Sequence, residues 1–252
     1  MTIGITLSGG AAKCMAQLGA LEALFELGVK PARISGVSGG ALIGSLIAAG
    51  MSPKEACALA SRTGSFRFFF PSIRSGGMFT MSRIENLYTE ALPVQRFEEL
   101  QIPLTINATD ILANEVVYFS EGPLLKPLIA SASYPALFEP VMLDGRQLLD
   151  GGILNNFPVE PILESCDRCI GISVGRVHEV PKTGSVYHVF VRSLELAINA
   201  TDEYKHELAH VFIDVPDLGG VGMFEMEKAE ELFALGYRAA MEQRGSIEEL
   251  MG

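Results

Sequence analysis

One strand-to-helix junction constrains this chain more than any other feature of its sequence. The β-rich segment Arg33–Val37 runs into the pentapeptide GVSGG at residues 36–40, and the segment that follows, ALIGSLIAAG, is apolar on all sides. A strand, a Gly-x-Ser-x-Gly turn and a helix in this order are typical of a nucleophile elbow, where small residues leave room for a serine with a strained backbone. Ser38 is therefore a candidate nucleophile in a sheet-based fold.

The chain contains a second match to the same motif, at Gly171–Gly175 in the apolar run CIGISVG. The segment after it, RVHEVPKTG, is polar and contains Pro181, which is not typical of a helix. We therefore interpret Ser173 as a strand residue. For Ser38 the alternative interpretation is a glycine-rich turn that only packs a helix close to a sheet.

The order of the predicted strands and helices indicates the fold class. Strands are predicted at Thr2–Leu7, Arg33–Val37, Leu104–Asp110, Glu115–Ser120, Val141–Leu143, Gln147–Asp150, Cys169–Val174, Val186–Phe190 and Val211–Val215, with a hairpin turn at Asp144-Gly145. Helices are predicted at Lys13–Leu27, at 41–50, from Ser52-Pro53 with Ser52 as the N-cap, from a capping box at Ser82–Glu85, at Leu124–Ser131 and at Glu225–Met241. This alternation predicts a three-layer α/β sandwich with a largely parallel central sheet, which we expect to form one domain over residues 1–252.

Composition and charge exclude several classes of function. Hydrophobic residues make up 48% of the 252 residues and charged residues 19%, as in globular proteins. The formal net charge of −11 argues against nonspecific binding to nucleic acid. Because no basic leader precedes an apolar stretch and no run of about 20 apolar residues occurs, we expect no signal peptide, no membrane span and a cytoplasmic location.

The four cysteines do not follow a metal-binding pattern. Cys166 and Cys169 form Cys-x-x-Cys, but neither a second such pair nor a suitably spaced histidine pair accompanies them. We expect ordinary reduced cysteines and no bound metal.

The loop after the first strand is the candidate oxyanion hole. Its sequence, SGGAAK, places Gly9, Gly10 and Ala11 at the start of a helix, where backbone N–H groups suit a developing negative charge. We expect Gly10 and Ala11 to donate their N–H groups and Gly9 to shape the loop. It fits neither the dinucleotide-binding pattern nor the Walker pattern, so we interpret it as an oxyanion loop rather than a nucleotide site.

Two kinds of catalytic base are compatible with the sequence. His178 is the best histidine candidate because it falls on a predicted loop, whereas His188 falls in a predicted strand and His206 and His210 in and at the end of a polar helical segment. Asp150 ends an apolar strand and precedes two glycines, where desolvation raises the affinity of a carboxylate for a proton. A simple turn is the alternative for Asp150, and the residues alone leave these interpretations open.

Five blocks taken together resemble the patatin-like phospholipase family of lipid acyl hydrolases. They are LSGGAAK, GVSGG, NATD, SASYPALFEPV and DGGILNNFPV, which follow the family's order from Ile3 to about Val159. The resemblance implies a Ser–Asp dyad without histidine, with Ser38 as nucleophile and Asp150 as base, and aligns Gly9-Gly10-Ala11 with the oxyanion loop. It also implies hydrolysis of carboxylic esters of phospholipids, lysophospholipids or acylglycerols without a cofactor.

The chain departs from the family pattern in the oxyanion loop. The family usually has a third glycine where Ala11 stands, and an arginine, a glycine and a histidine where Lys13, Cys14 and Gln17 stand. A positive φ is costly for alanine, and Lys13 supports the loop with a charge but without the bidentate fork of arginine. The alternative function is therefore a catalytically weakened or inactive relative that binds lipid or protein.

The segment 56–84 is basic and aromatic in an otherwise acidic chain. It contains FRFFFPSIRSGGMFTM and no acidic residue, and its basic residues are Arg62, Arg67, Arg74 and Arg83. Residues 65–80 are interpreted either as a flap that contacts an acyl chain or a membrane surface, or as a loop whose phenylalanines complete the core. We expect the SYPALFEP stretch to shape an acyl pocket and Asp110 to brace a loop.

Overall fold

The computed structural model describes residues 1–61, 70–71, 79–175, 184, 186–216, 218, 221–223 and 225–252. The strands in these ranges are β1 (Ile3–Leu7), β2 (Pro31–Val37), β3 (Phe70–Pro71), β4 (Phe79–Thr80), β5 (Leu104–Asp110), β6 (Glu115–Phe119), β7 (Val141–Leu143), β8 (Arg146–Asp150), β9 (Arg168–Ser173) and β10 (Val211–Asp214). The helices are α1 (Cys14–Glu26), α2 (Gly39–Ala48), α3 (Pro53–Ser61), α4 (Ser82–Ala91), α5 (Leu125–Ser131), α6 (Glu160–Leu163), α7 (Val186–His206), α8 (Ala229–Glu242) and α9 (Arg244–Met251). Short 3-10 turns lie at Ala11–Lys13, Phe97–Glu99, Gly151–Ile153 and Met226–Lys228.

The central sheet has the strand order β10-β9-β1-β2-β5-β8-β7, and β6 pairs with β5 beside this path. All pairs from β10 to β5 are parallel, whereas the pairs made by β6, β7 and β8 are antiparallel. Every residue of β1 and β5 is buried, as expected for strands that are covered on both faces. The predicted α/β fold with a largely parallel sheet is confirmed.

Helices cover the sheet on both faces. On one face Ile5 and Leu7 of β1 join the main hydrophobic core, to which α1, α2, α3, α8 and α9 contribute. On the other face α6 packs closely on β1, since a Cβ added at Gly4 would lie 2.4 Å from Ile162 Cγ2 of α6. Helix α7 lies on the same face, because its His206 ring contacts Phe157, which packs in one cluster with Ile162. In the described part of the chain, no helix combines the length and the apolar character needed to cross a membrane.

Strand β5 has two different partners along one edge. Its first half pairs with β2, up to Val37 beside Asn107, and its second half pairs with β8, where Asp150 lies beside Ala108. Because β6 occupies the other edge of β5 at these positions, β2 and β8 lie end to end. β2 is parallel to β5 and β8 antiparallel, so the carboxyl ends of both strands meet beside Asn107 and Ala108.

The local sequence signals for one hairpin turn and one helix cap are confirmed. Asp144 and Gly145 both have positive φ, 49° and 79°, as a two-residue hairpin turn between β7 and β8 requires. Ser52 caps α3, since its Oγ accepts the Glu55 N–H at 3.3 Å while the Glu55 carboxylate accepts the Ser52 N–H at 2.9 Å.

The capping box predicted at Ser82–Glu85 is wrong. Met81 is the residue that precedes the helix, its carbonyl accepts the Glu85 N–H, and no side chain caps α4. Ser82 lies within the first turn, and its Oγ is 2.8 Å from Thr80 Oγ1 instead. Strand β4 ends at Thr80, which leaves Met81 as the one residue between strand and helix.

The strand predicted at Val186–Phe190 is also wrong, because these residues form the first turns of α7. Their β-branched and aromatic side chains favour a strand, but such propensities are readily overridden by the surrounding structure. The Val186 side chain is 88% exposed, so packing against a sheet does not select its conformation. The buried residues of this helix lie further along, at Ile198 and Asp202 among others.

Helices α1 and α8 cross with their backbones in direct contact. A Cβ at Gly19 of α1 would lie 1.8 Å from the Phe233 carbonyl oxygen, and one at Gly236 of α8 would lie 1.7 Å from the Ala16 carbonyl oxygen. Both contacts involve rigid helical backbone rather than flexible side chains. The two glycines therefore set how closely the helices approach.

We expect Gly236→Ala to lower the free energy of unfolding by roughly 3 kcal/mol or more, because the added methyl group must push the helices apart. Gly245→Ala is the matched control, since a Cβ at this position of α9 meets nothing within 4 Å. The free energy of unfolding of the control variant should be unchanged, or higher by up to about 1 kcal/mol because alanine favours a helix more than glycine does. Urea denaturation measures both, and equal effects would contradict the close crossing.

Candidate active site

Ser38 lies at the sharp turn between β2 and α2. Its φ of 53° and ψ of −126° are unusual for a residue with a side chain and match the strained backbone of a nucleophile elbow. The turn requires glycine on both sides: a Cβ at Gly36 would lie 2.7 Å from the Gly40 carbonyl oxygen, and one at Gly40 would lie 2.5 Å from that of Ser8. Ser131 Oγ of α5 accepts the Ser38 N–H at 3.0 Å and steadies the turn.

Asp150 contacts the hydroxyl group of Ser38. The Ser38 Oγ donates to Asp150 Oδ2 at 2.6 Å, and the other carboxylate oxygen accepts the Gly152 N–H at 2.8 Å. The Asp150 backbone N–H donates to the Ser133 carbonyl at 2.9 Å, so both the main chain and the side chain are held in place. The structure thus brings together the two residues that the resemblance implied as a dyad.

The buried position of Asp150 makes its carboxylate a stronger base than usual. Only 3% of the residue is exposed, and burial raises its pKa to about 7 despite the opposing hydrogen bonds from Ser38 and Gly152. A carboxylate with this pKa can accept a proton from a neighbouring hydroxyl group and still be ionised near neutral pH.

The candidate oxyanion loop lies beside Ser38, but its three residues differ in what they offer. The Gly9 N–H already donates to the Asn156 carbonyl at 3.2 Å, and a Cβ at Gly9 would lie 3.2 Å from Ser38 Cβ. Among the described residues, the N–H groups of Gly10 and Ala11 have no acceptor. Gly9 therefore shapes the loop, and Gly10 and Ala11 are the available donors. Ala11 approaches the turn closely, since a Cβ at Gly39 would lie 3.1 Å from the Ala11 nitrogen.

The residues that depart from the family pattern occupy distinct places around this loop. Ala11 has a φ of 49°, the conformation for which a glycine is preferred. Lys13 is half-buried at the end of the 3-10 turn, and in the described part of the chain its ammonium makes no ion pair. Gln17 is fully buried, and its Nε2 donates to the carbonyls of Ser8 and Ile172 at 2.9 and 3.2 Å, which ties the loop to β9.

An apolar cavity of about 150 Å³ opens beside Ser38. It is lined along α2 by Leu42 and Leu46, which lie one and two turns after Ser38, and it extends to Tyr88 of α4. Tyr134 and Phe138 from the SYPALFEP stretch also line it. The cavity therefore offers a lipophilic group a place next to the serine.

Most of the basic, aromatic segment 65–80 lies outside the described residues, as do Arg62, Arg67 and Arg74. Phe79 is described, and it is half-buried against a hydrophobic cluster that contains Phe138. For this one phenylalanine, the interpretation as part of the core is therefore the better one.

His206 and His210 make contacts with residues other than Ser38 and Asp150. The His206 ring stacks on Phe212 with ring centroids 4.3 Å apart, on the face of the sheet covered by α7. His210 Nδ1 accepts the Cys169 N–H at 3.1 Å. His188 belongs to α7 rather than to a strand, and His178 falls outside the described residues.

The remaining sequence candidates have structural surroundings. Ser173 lies in β9, where its Oγ accepts the Gly175 N–H. Asp110 braces the turn after β5 by accepting the N–H groups of Leu112 and Ala113 at 3.0 and 3.2 Å. All four cysteines are free, and within the described ranges no three His, Cys, Asp or Glu side chains form a group that could hold a metal ion.

Comparison with known proteins identifies relatives of the chain. The profile of the patatin-like phospholipase family matches residues 5–163. An uncharacterized NTE family protein of Mycobacterium tuberculosis is 32% identical over 203 residues, which are 79% of this chain and 56% of the relative. Lysophospholipase NTE1 of Cryptococcus neoformans is 28% identical over 189 residues, which are 70% of this chain and 11% of the relative. The chain thus spans little more than half the length of the first relative and a small part of the second.

Two solved structures share the fold. VipD from Legionella pneumophila superposes with a TM-score of 0.60 over 97% of this chain and 67% of VipD, at 16% sequence identity. ExoU, in its heterodimeric complex with SpcU from the type III secretion system of Pseudomonas aeruginosa, superposes with a TM-score of 0.51 over 97% of this chain and 52% of that chain, at 18% identity. At these identities the likeness concerns the fold alone.

Ala11 adopts a positive φ, which glycine tolerates better than alanine. We therefore expect Ala11→Gly to raise the free energy of unfolding by about 1 kcal/mol. The neighbouring Ala12→Gly is the matched control, because Ala12 lies in the same 3-10 turn without a positive φ. This variant should lose about 0.5–1 kcal/mol of its free energy of unfolding. Thermal or urea denaturation measures both variants. A loss of stability in Ala11→Gly would contradict the conformation described for the loop.

Proposed function

Because the chain belongs to the patatin-like phospholipase family, we propose that it is a serine acyl hydrolase that cleaves carboxylic esters of lipids through Ser38 and Asp150. Family membership supports lipid acyl hydrolase activity in general, and the dyad is the specific part of the proposal. The observation that carries it is the 2.6 Å hydrogen bond from the Ser38 hydroxyl to the buried Asp150 carboxylate at a nucleophile elbow.

In the proposed reaction, Asp150 accepts the proton of Ser38 as the serine oxygen attacks the ester carbonyl carbon. The N–H groups of Gly10 and Ala11 stabilise the negative charge that develops on the carbonyl oxygen, together with the positive end of the α2 dipole. Asp150 then returns the proton to the departing alcohol, which leaves an acyl group on Ser38. In the second half, Asp150 takes a proton from water as the water oxygen attacks the acyl-enzyme, and it then gives this proton to Ser38 Oγ as the bond to the acyl carbon breaks and the fatty acid leaves.

The apolar cavity supports a lipid rather than a polar ester as substrate. Since Leu42 and Leu46 line it from α2, an acyl chain bound to Ser38 would follow this helix into the protein interior. Burying each methylene group there is worth about 0.8 kcal/mol, so the acyl chain supplies binding energy remote from the ester.

Contact of residues 65–80 with a lipid surface is a further part of the proposal. It rests on the basic and aromatic composition of this segment. The helices that flank this segment in the chain, α3 and α4, support the proposed contact. Leu59 of α3 and Ile84 of α4 both line the cavity beside Ser38.

Labelling with a fluorophosphonate probe tests the dyad. We expect stoichiometric labelling at Ser38, and loss of p-nitrophenyl ester hydrolysis by about 10⁴-fold or more in Ser38→Ala and in Asp150→Asn, because each variant lacks one half of the dyad. Ser173→Ala, which alters the second Gly-x-Ser-x-Gly serine, is the matched control and should keep both labelling and activity.

Replacing all four histidines should also leave the activity in place. Loss of activity in that variant would indicate a histidine-containing triad, with His178 as the first candidate. A folded wild-type protein that the probe does not label would instead support the non-catalytic binding relative.

The raised pKa of Asp150 predicts how activity depends on pH. Because the base must be ionised, kcat/KM should rise about tenfold per pH unit below the pKa of about 7 and become constant above it. A flat profile between pH 5 and pH 8 would contradict Asp150 as the base.

Folding stability supplies an independent readout: a pKa raised in the folded state lowers stability as the pH rises from about 4 to about 7. Asp150→Asn should therefore gain stability relative to the wild type over this range.

A further inference from the structure

Asn156, which follows the Asp150 loop, lies where three loops of the site converge. A Cβ at Gly9 would lie 2.2 Å from Asn156 Oδ1, and one at Gly152 would lie 2.7 Å from the same atom. A Cβ at Gly175, just after β9, would lie 3.1 Å from Asn156 Nδ2. The asparagine is therefore in contact with the oxyanion loop, the Asp150 loop and the end of β9 at once.

The backbone of Asn156 connects the oxyanion loop to α7. Its carbonyl accepts the Gly9 N–H at 3.2 Å, and its own N–H donates to Asp202 Oδ2 at 2.8 Å. Asp202 is buried, with 4% of the residue exposed, and its other carboxylate oxygen makes no hydrogen bond among the described residues. The hydrogen bonding of this carboxylate is thus directed at the Asn156 N–H.

A buried lysine fixes the carboxylate from the other side. Lys205, one turn along α7, is 6% exposed, and its Nζ lies 3.7 Å from Asp202 Oδ1. The same ammonium donates to Asn155 Oδ1 at 2.7 Å and pairs with Glu160 Oε1 at 2.8 Å. Burying such a charged group gives little net stability compared with apolar packing. The role of Lys205 is therefore better explained by the fixed positions of the residues that it contacts.

We infer that Asp202 is a positioning residue, which holds Asn156 and through it sets the oxyanion loop against Asp150 and Ser38. If the Asn156 N–H loses its acceptor, its carbonyl no longer holds Gly9 at the distance that aims the Gly10 and Ala11 N–H groups at the reacting oxygen. The catalytic part of this inference rests on the proposed function, whereas the structural link between Asp202 and Gly9 does not.

Amide hydrogen exchange tests the link without any substrate. In Asp202→Ala we expect the Gly9 amide to exchange at least about tenfold faster, because its acceptor carbonyl is released. The Ser8 amide, which donates to Ile172 rather than to Asn156, is the internal reference and should be unchanged. Asp202→Asn retains an oxygen that can accept the Asn156 N–H, so its effect should be smaller, and it also serves if the alanine variant folds poorly.

Kinetics test the catalytic part. We expect Asp202→Ala to lower kcat for a p-nitrophenyl ester by roughly 10- to 100-fold with little change in KM, since misplaced oxyanion donors act on the transition state. Asp202→Asn should recover part of the rate. Asp167→Ala is the control for losing an aspartate that accepts a backbone N–H far from the site. Asp167 is exposed and accepts the Thr2 N–H at 2.7 Å at the opposite ends of β1 and β9, so this variant should keep the wild-type kcat.

The outcomes separate the two proposals. An unchanged Gly9 exchange rate in Asp202→Ala overturns the link, and an unchanged kcat in a variant of an active wild type overturns the catalytic part. A wild-type protein with neither esterase activity nor probe labelling overturns the proposed function, and the exchange of Gly9 then still decides the link. A fall in kcat as large in Asp167→Ala as in Asp202→Ala would show that the effect does not depend on the contact with Asn156, and it would overturn the inference.

Discussion

The shared edge of β5 is the constraint on which the candidate site depends. β2 runs beside β5 in the parallel sense as far as Asn107, and β8 comes from the opposite direction and ends at Ala108. Two strands that approach each other along one hydrogen-bonding edge must end at the same place. The residue after β2 is Ser38 and the last residue of β8 is Asp150, so backbone pairing brings hydroxyl and carboxylate together before any side-chain interaction contributes. The carboxylate then becomes basic because the same sheet and α5 bury it.

Around this meeting point the chain maintains conformations that are unfavourable by themselves. Ser38 adopts a positive φ, which persists because Gly36 and Gly40 allow strand and helix backbones to touch. Ala11 also adopts a positive φ, in a loop held at Ser8 by Gln17 and at Gly9 by Asn156. Both strained residues are thus fixed by hydrogen bonds and close contacts from several elements. Such a site is organised before a substrate arrives, which is how fixed donors stabilise developing charge most effectively.

The sequence could predict those parts of the molecule that depend on local signals. The elbow at Ser38, the hairpin turn at Asp144 and the cap at Ser52 each arise from residues within a few positions of one another. The residues alone offer Asp150 and His178 as candidate bases, and only the family resemblance favours Asp150, since its contact with Ser38 results from the pairing of β5. The strand predicted at Val186–Phe190 was wrong because local propensity does not include the tertiary contacts of α7. The same limit hid Asp202, since nothing in the sequence places it beside Asn156, and it left open that the Gly9 N–H is already bonded.

The short pairing between β8 and β5 has a consequence for the contact between Asp150 and Ser38. Three residue pairs, from Ala108–Asp150 to Asp110–Leu148, join the hairpin to the body of the sheet, whereas Ser38 directly follows β2, which lies between β1 and β5. Opening of this one edge would withdraw the Asp150 carboxylate and leave the Ser38 hydroxyl in place. The contact between the two side chains can therefore be lost through local opening of the hairpin, without unfolding of the sheet around β1, β2 and β5.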